Sequence, residues 1–278
     1  EDGSWITYGD LVDALYRVNA DECEVLLVHT ELSFGVPNQA LRRKELLAAL
    51  YDVIREMKVP TLVFPSFSFS FSNRELFDIN NTKGRMGALN EYVRKLPGAV
   101  RSLDPQMSAV VIGTNSTLAQ VSGKLSVGAG SIFDNLHHTS SVRVLFFGPR
   151  PSQCFTHMHY VEEQMQVPYR YNMDFTGTII DADGRRYEDT YTLFVKYRDI
   201  LPEVPPAFDD SLVEAGILKR LSVGNATIQC FTEAQAYAAT RAWLEKDVNG
   251  FLAEPYDTHP LVKAYRYGDV GRAVTTVQ

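Results

Sequence analysis

Two histidines and two glutamates lie close together in the stretch QCFTHMHYVEEQMQVPYRY, residues 153–171. In a helix, His159 and Glu162 are three positions apart and share a face, with Glu163 in reach at four. A neutral imidazole can accept a proton near pH 7, and a carboxylate on its other nitrogen fixes the tautomer. The spacing indicates a general base with its partner, although a surface ion pair would use the same two residue types.

The same stretch raises the question of a metal site, because His157 lies only two residues before His159. Met158, Val161 and Met165 recur at helical spacing, which favours a helix over a strand. On a helix, side chains two residues apart point roughly 200° away from each other. We therefore predict that the two histidines do not share a metal ion.

No protein nucleophile accompanies this pair in the sequence. The G-x-S-x-G elbow of serine hydrolases is absent, as are the dinucleotide-binding pattern G-x-G-x-x-G and the P-loop. If the pair is catalytic, we expect the nucleophile to belong to the substrate.

Composition limits the partners that the chain could bind. Lys and Arg total 27 and Asp and Glu 34, so the formal charge is 27 − 34 = −7. Without a basic run, such a chain is a poor binder of nucleic acid or anionic membrane, and a cationic small molecule is a more natural ligand. Three widely spaced cysteines argue against a disulfide framework. No signal peptide or spanning run is recognised, so we expect a cytoplasmic protein.

The elements that must position the pair follow an α/β pattern. The apolar runs EVLLVH (24–29) and PTLVFP (60–65) are typical of buried strands, and LRRKELLAALYDVIREMK (41–58) between them has helical periodicity. A strand–helix–strand unit predicts parallel strands, because the crossover helix covers the sheet. Further strands are predicted at SAVVIG (108–113) and VRVLFFG (142–148).

The second half of the chain predicts a hairpin and then a strand and a helix. Residues 175–197 alternate apolar and polar side chains around Asp183-Gly184, which is typical of an antiparallel hairpin. Residues 226–246 read as a strand followed by a helix. The proline-rich LPEVPPAF, 201–208, is the one candidate boundary. We predict one domain over residues 1–278, with a C-terminal elaboration from about residue 205.

Loops at the carboxyl ends of parallel strands are the usual place for sites in α/β proteins. His29 ends the first strand and opens HTELSFG, 29–35, which is either a capped turn or an anion site at a helix N-terminus. SFSFSFSN, 66–73, could line a site or extend the second strand with one buried face. SVGAGSIFDNL, 126–136, could approach a ligand or form a turn before a helix capped by Ser131.

The chain resembles the aminoglycoside 3-N-acetyltransferase family in five blocks that occur in family order. The blocks are VLLVHTELSFG, PTLVFPSFSFS, GRMGALNEYVRKLPGAVRSLDPQMSAVVIG, SVGAGSIFDNL and THMHYVEEQMQVPYRY, within about residues 24–172. They are most similar to the branch found with bacterial surface-polysaccharide genes. The resemblance implies a three-layer α/β/α sandwich around a mixed, largely parallel sheet, with an added antiparallel hairpin. It also implies an acetyl-CoA co-substrate, an amine acceptor and no metal.

The resemblance also assigns roles to residues. The family pattern Leu-His-x-x-Glu matches residues 158–162, which makes His159 the general base and Glu162 its partner. The family's Val-His-Ser/Thr-Ser-Leu block begins at Val28, with Glu31 in place of a small hydroxyl residue. The residues expected beside the cofactor are His29, Thr30, Leu32, Ser33, Phe34, Gly35, Ser66, Ser108, Gly128 and Ser131. Thr30 and Ser66 are candidate oxyanion donors.

The chain departs from the family pattern at Asp104. Many members read Arg-Ser-x-His-Pro where this chain has residues 101–105, RSLDP. A carboxylate here either faces a cationic acceptor or caps the turn at Pro105. With Asp104, the carboxylates expected on the acceptor side are Glu91 and Asp78.

Together these features predict a coenzyme A-dependent N-acyltransferase acting on the amine of an amino sugar, including nucleotide-linked ones. The first alternative is an aminoglycoside 3-N-acetyltransferase of antibiotic resistance. The alternative from another class is a non-catalytic protein that binds acyl-CoA or a metabolite, which the loss of His159 or Glu162 would have favoured. The expected partners are an acyl-CoA and a small amine-bearing sugar, and the sequence leaves a homodimer open.

Overall fold

The computed structural model describes residues 5–258 and 260–265. Its helices are α1 (Tyr8–Arg17), α2 (Arg43–Arg55), α3 (Ala88–Val93), α4 (Ile132–His137), α5 (Pro151–Cys154), α6 (Met158–Gln164), α7 (Pro206–Glu214) and α8 (Glu233–Lys246). Short 3-10 turns cover Phe71–Asn73, Ser116–Ala119 and Tyr256–Thr258. Within the described residues, none of the helices has both the length and the apolar character that crossing a membrane requires.

The strands form one large sheet and one small one. They are β1 (Val25–Thr30), β2 (Thr61–Pro65), β3 (Phe77–Asp78), β4 (Val100–Arg101), β5 (Ala109–Gly113), β6 (Val142–Gly148), β7 (Arg170–Ile180), β8 (Arg186–Lys196), β9 (Lys219–Val223) and β10 (Ala226–Thr232). The order in the large sheet is β4-β5-β2-β1-β6-β10-β9. β1 is parallel to both β2 and β6, whereas β5 and β10 run antiparallel to their inner neighbours. The mixed sheet is confirmed, with its parallel strands at the centre.

Two apolar cores lie on opposite faces of the large sheet. Along β1, Val25 and Leu27 belong to one core and Leu26 and Val28 to the other, because successive side chains of a strand point to opposite faces. Helices α1, α2 and α3 cover the face of Leu26, and α4, α6, α7 and α8 cover the face of Val25. Burying one such side chain stabilises the fold by roughly 1.5–3 kcal/mol. The three-layer α/β/α arrangement follows.

The predicted hairpin is confirmed as β7 and β8, which pair antiparallel from Arg170 opposite Lys196 to Ile180 opposite Arg186. Its turn uses Gly184 at φ +79°, a conformation that favours glycine. The short strand β3 adds to β7 in parallel and completes the small sheet. The start of β7 is close in sequence to α6, so the hairpin reaches the His159 region.

The strand-extension interpretation of SFSFSFSN is wrong. Residues 66–70 are irregular, and Phe69 has φ +53°, which no strand residue adopts. The physical reason is that serine and phenylalanine side chains are both buried here, so no polar face remains for solvent. The serine hydroxyls are satisfied inside the protein: Ser68 donates to the Pro105 carbonyl at 3.0 Å and Ser70 donates to Ser68 at 3.0 Å.

The part of the chain after about residue 205 is continuous with the large sheet. α7 starts at Pro206 in the proline-rich segment, as the surface connection ends. β10 then pairs with β6 and with β9, and α8 packs on the Val25 face. We therefore propose a single domain in which this C-terminal part completes the sheet.

Candidate active site

His159 lies in the first turn of α6 and faces Glu162. Its Nδ1 is 2.6 Å from Oε2 of Glu162, as the three-residue spacing predicts. The His159 side chain is 31% exposed, whereas that of Glu162 is 3% exposed. A surface ion pair would leave both groups in water, so that alternative is wrong for this pair. The geometry is that of an accessible imidazole on a buried carboxylate.

Glu162 is held by two residues that follow the helix. Nε of Arg170 lies 2.9 Å from Oε2, and the Tyr169 hydroxyl donates to Oε1 at 2.8 Å. Burial alone would raise the pKa of Glu162, but the charges of Arg170 and His159 and the hydrogen bonds from His159 and Tyr169 outweigh it and lower the pKa to about 2. The carboxylate is therefore ionised at neutral pH.

The ionised carboxylate determines the tautomer of His159. A carboxylate only accepts hydrogen bonds, so Nδ1 carries the proton and donates it to Glu162. Nη2 of Arg170 lies 3.3 Å from the same Nδ1, and since both nitrogens then carry hydrogens this is a close contact between two donors rather than a hydrogen bond. Nε2 then keeps its lone pair, and a general base accepts the proton with such a lone pair.

Tyr169 and Arg170 were not singled out from the sequence, although both stand in the stretch 153–171. α6 ends at Gln164, and the backbone nitrogen of Val167 donates back to the Glu162 carbonyl at 3.1 Å. This turn brings the start of β7 against Glu162. A contact across a helix–strand turn has no fixed sequence spacing, so the one signal in the sequence is a tyrosine and an arginine shortly after Glu162.

Asp104 is buried and organises its own loop. Its Oδ1 accepts hydrogen bonds from the backbone nitrogens of Gln106 at 2.7 Å and Met107 at 2.9 Å, and from the Ser126 hydroxyl at 3.1 Å. Burial raises the pKa of Asp104 above its usual value, against the effect of these bonds. The arrangement is that of a turn cap after Pro105, the alternative interpretation, and contact with the acceptor stays a prediction.

The other two carboxylates expected on the acceptor side are bound within their own segments. Glu91 accepts two hydrogen bonds from the Arg94 guanidinium, both at 2.8 Å. Burial alone would raise the pKa of Glu91, but Arg94 outweighs it and lowers the pKa to about 2. Asp78 accepts from the backbone and side-chain nitrogens of Asn81, each at 2.9 Å. Whether Glu91 and Asp78 meet an acceptor stays a prediction.

His29, expected beside the cofactor, is buried at the end of β1. Its ring stacks on Phe146 with centroids 5.3 Å apart, and Nε2 has no hydrogen-bond partner among the described residues. Burial, together with the nearby His157, lowers the pKa of His29 to about 3. His29 is therefore neutral at physiological pH and carries a free buried nitrogen.

The rest of the block after β1 divides into bound and exposed side chains. The Thr30 hydroxyl donates to Oδ1 of Asn90 at 2.6 Å, so its hydrogen is not free for an oxyanion. Phe34 is buried against Phe147, with ring centroids 4.9 Å apart. The remaining members are half-buried Leu32 and exposed Ser33 and Gly35. The exposed members can contact a ligand, and that role stays a prediction.

Ser66 and Ser108 belong to a buried polar cluster around Arg101. Nη2 of Arg101 donates to the Ser66 carbonyl at 2.7 Å, and Nε donates to the Ser108 hydroxyl at 2.9 Å. That hydroxyl in turn donates to the Ser66 carbonyl at 2.9 Å. The structure thus brings these two predicted residues together, and their contacts join the end of β2 to the start of β5.

The glycine-serine loop before α4 forms the predicted turn before a helix capped by Ser131. The Ser131 hydroxyl accepts from the backbone nitrogen of Asp134 at 3.3 Å and caps α4, as the spacing predicts. A Cβ at Gly128 would lie 2.4 Å from the Leu125 side chain and 3.3 Å from that of Glu163. Packing between these two side chains explains the glycine, and the proximity of either residue to a cofactor stays a prediction.

His157 points away from His159, as the helical period predicts. Its Nε2 lies 2.5 Å from Oε1 of Glu233, and Nδ1 of His137 lies 2.9 Å from the same oxygen. Burial alone would raise the pKa of Glu233, but the hydrogen bonds and charges of the two histidines outweigh it and lower the pKa. Neither Glu233 nor His137 was singled out from the sequence, because each is distant from residues 153–171 along the chain.

Comparison with known proteins adds a family to this geometry. The family model described as aminoglycoside 3-N-acetyltransferase matches residues 27–245, more than half of the chain. A relative from Streptomyces paromomycinus, aminoglycoside N(3)-acetyltransferase VII, is 28% identical over 58% of this chain and 58% of its own length. The match therefore spans just over half of that relative.

Solved structures share the fold at low sequence identity. Aminoglycoside acetyltransferase AAC(3)-Xa has a TM-score of 0.72 and 22% identity, over 87% of this chain and 93% of its own. AAC-IIIb, solved as a binary complex with CoASH, has a TM-score of 0.71 and 18% identity, over 91% and 100%. A mutant of AAC(3)-IVa in complex with a gentamicin has a TM-score of 0.72 and 21% identity, over 96% and 99%.

Proposed function

The chain belongs to the aminoglycoside 3-N-acetyltransferase family, and on that premise we propose that it transfers an acetyl group from acetyl-CoA to an amine of an aminoglycoside. The observation that carries the proposal is the His159–Glu162 pair, in which a partly exposed imidazole has one nitrogen fixed by a buried carboxylate and the other free. The substrate named for the Streptomyces relative favours an aminoglycoside over the amino sugars of surface-polysaccharide synthesis.

Acetyl transfer to an amine requires one base and no protein nucleophile. The acceptor nitrogen attacks the thioester carbonyl carbon while Nε2 of His159 takes a proton from that nitrogen. The tetrahedral intermediate collapses, the carbon–sulfur bond breaks and coenzyme A leaves as a thiolate. The imidazolium gives the proton on Nε2 to the thiolate, so that His159 returns to its neutral form. The products are an acetamide and free coenzyme A.

Glu162 and Arg170 keep the proton where the reaction needs it. The carboxylate stabilises the imidazolium that forms when Nε2 takes up the proton. Because the pKa of Glu162 is lowered to about 2, the carboxylate does not take the proton itself. Arg170 contributes to that lowering, so we infer that it controls the basicity of the pair without contacting the substrate.

Charge supports a polyamine acceptor. Aminoglycosides carry several ammonium groups near neutral pH, and the chain has a formal charge of −7, which attracts cations over distances of about a Debye length. An intact His159 and Glu162 argue against the non-catalytic alternative. The proposed partners are thus acetyl-CoA and an aminoglycoside, and the homodimer stays a prediction that analytical ultracentrifugation would test.

A thiol-release assay tests the proposal. Purified protein with acetyl-CoA is offered a panel of aminoglycosides and, in parallel, free and nucleotide-linked amino sugars, and mass spectrometry locates the acetylated nitrogen. We expect release with aminoglycosides at least tenfold faster, as kcat/KM, than with any amino sugar. Faster release with an amino sugar would return the acceptor to the polysaccharide interpretation. If coenzyme A binds but none of the amines in the panel causes thiol release, the proposed function is contradicted.

A further inference from the structure

Glu233 joins two histidines that come from other parts of the fold. Its Oε1 lies 2.5 Å from Nε2 of His157, just before α6, and 2.9 Å from Nδ1 of His137, at the end of α4. The side chains of His157 and Glu233 are 0% and 5% exposed, and that of His137 is 27% exposed. Three helices therefore meet at one carboxylate oxygen.

The distances in this cluster are those of hydrogen bonds that imidazole N–H groups donate to Oε1. The competing interpretation is a divalent metal, because the three ligand atoms lie within 4.8 Å of one another. The other nitrogen of His157 favours the hydrogen bonds. A metal-bound histidine normally donates its second N–H to an orienting acceptor, whereas the buried Nδ1 of His157 has no partner among the described residues.

His157 is placed where it can control the position of His159. It precedes α6 in helical backbone, at φ −61° and ψ −21°, and makes no side-chain cap to the helix. Its ring stacks on Tyr160 with centroids 5.4 Å apart and packs against Phe155. The hydrogen bond to Glu233 therefore fixes the side chain that starts the catalytic helix, two residues before His159.

We propose that Glu233 is a positioning residue: by holding His157, it sets the first turn of α6 so that Nδ1 of His159 meets Glu162. Its effect on turnover rests on the proposed function, whereas its effect on the His159 side chain does not. The His157 hydrogen bond carries this effect, and His137 is hydrogen-bonded to the same oxygen of Glu233.

Kinetics of Glu233→Ala test the proposal, with Glu233→Gln as the conservative variant. A misplacement of about 1 Å can lower a rate 100-fold, so we expect kcat of Glu233→Ala to fall about 10-fold to 100-fold. KM for acetyl-CoA and for the aminoglycoside should stay within about twofold, when measured well below the melting temperature of each variant. Glu233→Gln keeps an oxygen that accepts from His157 and should retain at least a third of the rate. Glu245→Ala, an exposed position on the same helix, serves as the control and should match the wild type.

A chemical probe reads the His159 position without any substrate. Diethyl pyrocarbonate modifies exposed neutral histidines, and peptide mass spectrometry follows each site separately. In Glu233→Ala we expect His159 to react at least threefold faster and exposed His138 to react at the wild-type rate. The reactivity measurement separates the two proposals. An inactive wild type would contradict the proposed function, whereas the reactivity of His159 would still decide the role of Glu233.

Two results would overturn the positioning role. One is an unchanged kcat and unchanged His159 reactivity in folded Glu233→Ala. The other is stoichiometric metal in the wild type that disappears from Glu233→Ala together with activity, which would make the cluster a metal site. If Glu233→Ala does not fold, His157→Phe keeps the ring packing, removes the hydrogen bond and should show the same loss of kcat, so that a wild-type kcat in this variant would also overturn the role.

Discussion

Two histidine–glutamate pairs start within three residues of each other and have opposite properties. His159 and Glu162 are 2.6 Å apart, and His157 and Glu233 are 2.5 Å apart, so bond length does not distinguish them. His159 is 31% exposed, whereas His157 is 0% exposed. The His159 ring is thus open to solvent on part of its surface, whereas the His157 ring, including its unpartnered Nδ1, lies in the protein interior. Solvent access to the ring is therefore the property that distinguishes the proposed general base from the proposed structural anchor.

The helix geometry produces this difference. Residues two apart on a helix point roughly 200° apart, which sends one imidazole toward α8 and the other toward the start of β7. Each carboxylate is buried, and each histidine lowers the pKa of its partner. The same residue types thus do different work because a single helical turn presents them to different surroundings.

The largest effect on kcat should come from a change in the His159–Glu162 pair. His159→Ala removes the base, and losses of general-base catalysis run to roughly 10²–10⁴-fold. We expect kcat to fall by that factor while the affinity for coenzyme A, measured by calorimetry, hardly changes, because the base acts on the amine. His138→Ala, at a more exposed histidine of the same fold, is the control and should keep the wild-type kcat. A His159→Ala variant with more than half the wild-type rate would end the distinction between the two pairs.

Glu162→Gln should have a smaller effect on rate and a clear effect on stability. The imidazole stays in place but loses a charge-assisted hydrogen bond, worth roughly 1.5–3 kcal/mol, or about 10-fold to 150-fold in kcat. Arg170, whose side chain is 9% exposed, would lose its charged partner. Breaking a buried ion pair costs roughly 3–5 kcal/mol, so the melting temperature should fall. Wild-type kcat and melting temperature in this variant would show that Glu162 plays no part.

Asp104→Asn tests a buried carboxylate that belongs to neither pair. The amide keeps one oxygen for the backbone nitrogens of Gln106 and Met107, so we expect a loss of about 1 kcal/mol in stability. That corresponds to a fall of about 2–4 °C in melting temperature, with kcat/KM for the acceptor within twofold. A fall of 10-fold to 150-fold in kcat/KM, at an unchanged melting temperature, would instead place Asp104 against the acceptor.

Removal of metal should have no effect on either pair. Protein treated with a chelator should keep its activity and its melting temperature, because the proposed reaction uses no metal and both carboxylates are held by hydrogen bonds. Elemental analysis checks the same point on untreated protein. Stoichiometric zinc, lost together with activity, would assign His157 and Glu233 to a metal centre and remove them from the comparison.

Contacts that are local in sequence could be predicted, and contacts between distant segments could not. The His159–Glu162 pair, the Asp183-Gly184 hairpin and the Ser131 cap each depend on a fixed spacing, and the structure has all three. Glu233 lies 76 residues after His157, and no periodicity links positions that far apart. Among the acceptor-side carboxylates, the partners of Glu91 and Asp78 are local in sequence, whereas the Ser126 hydroxyl that donates to Asp104 comes from 22 residues away.

The serine-phenylalanine segment shows a different limit. Its alternation predicts one polar and one apolar face, but the structure buries both kinds of side chain. The deciding partners are the carbonyl of Pro105 and the side chain of Gln106, in a loop more than 30 residues away. A buried hydroxyl with a backbone partner costs little, so alternation in sequence does not show which face is solvated.

The central claim is that Nδ1 of His159 carries the proton and Nε2 is the free base. Long-range ¹H–¹⁵N correlation spectra of the histidine side chains at neutral pH report the tautomer directly, and the spectrum of His159→Ala assigns the signal. We predict that the neutral form of the His159 ring carries its proton on Nδ1 and leaves Nε2 unprotonated, and that Glu233→Gln has the same tautomer. A ring protonated on Nε2 with a bare Nδ1 would contradict the account, because the nitrogen that faces the substrate could then donate a proton but not accept one.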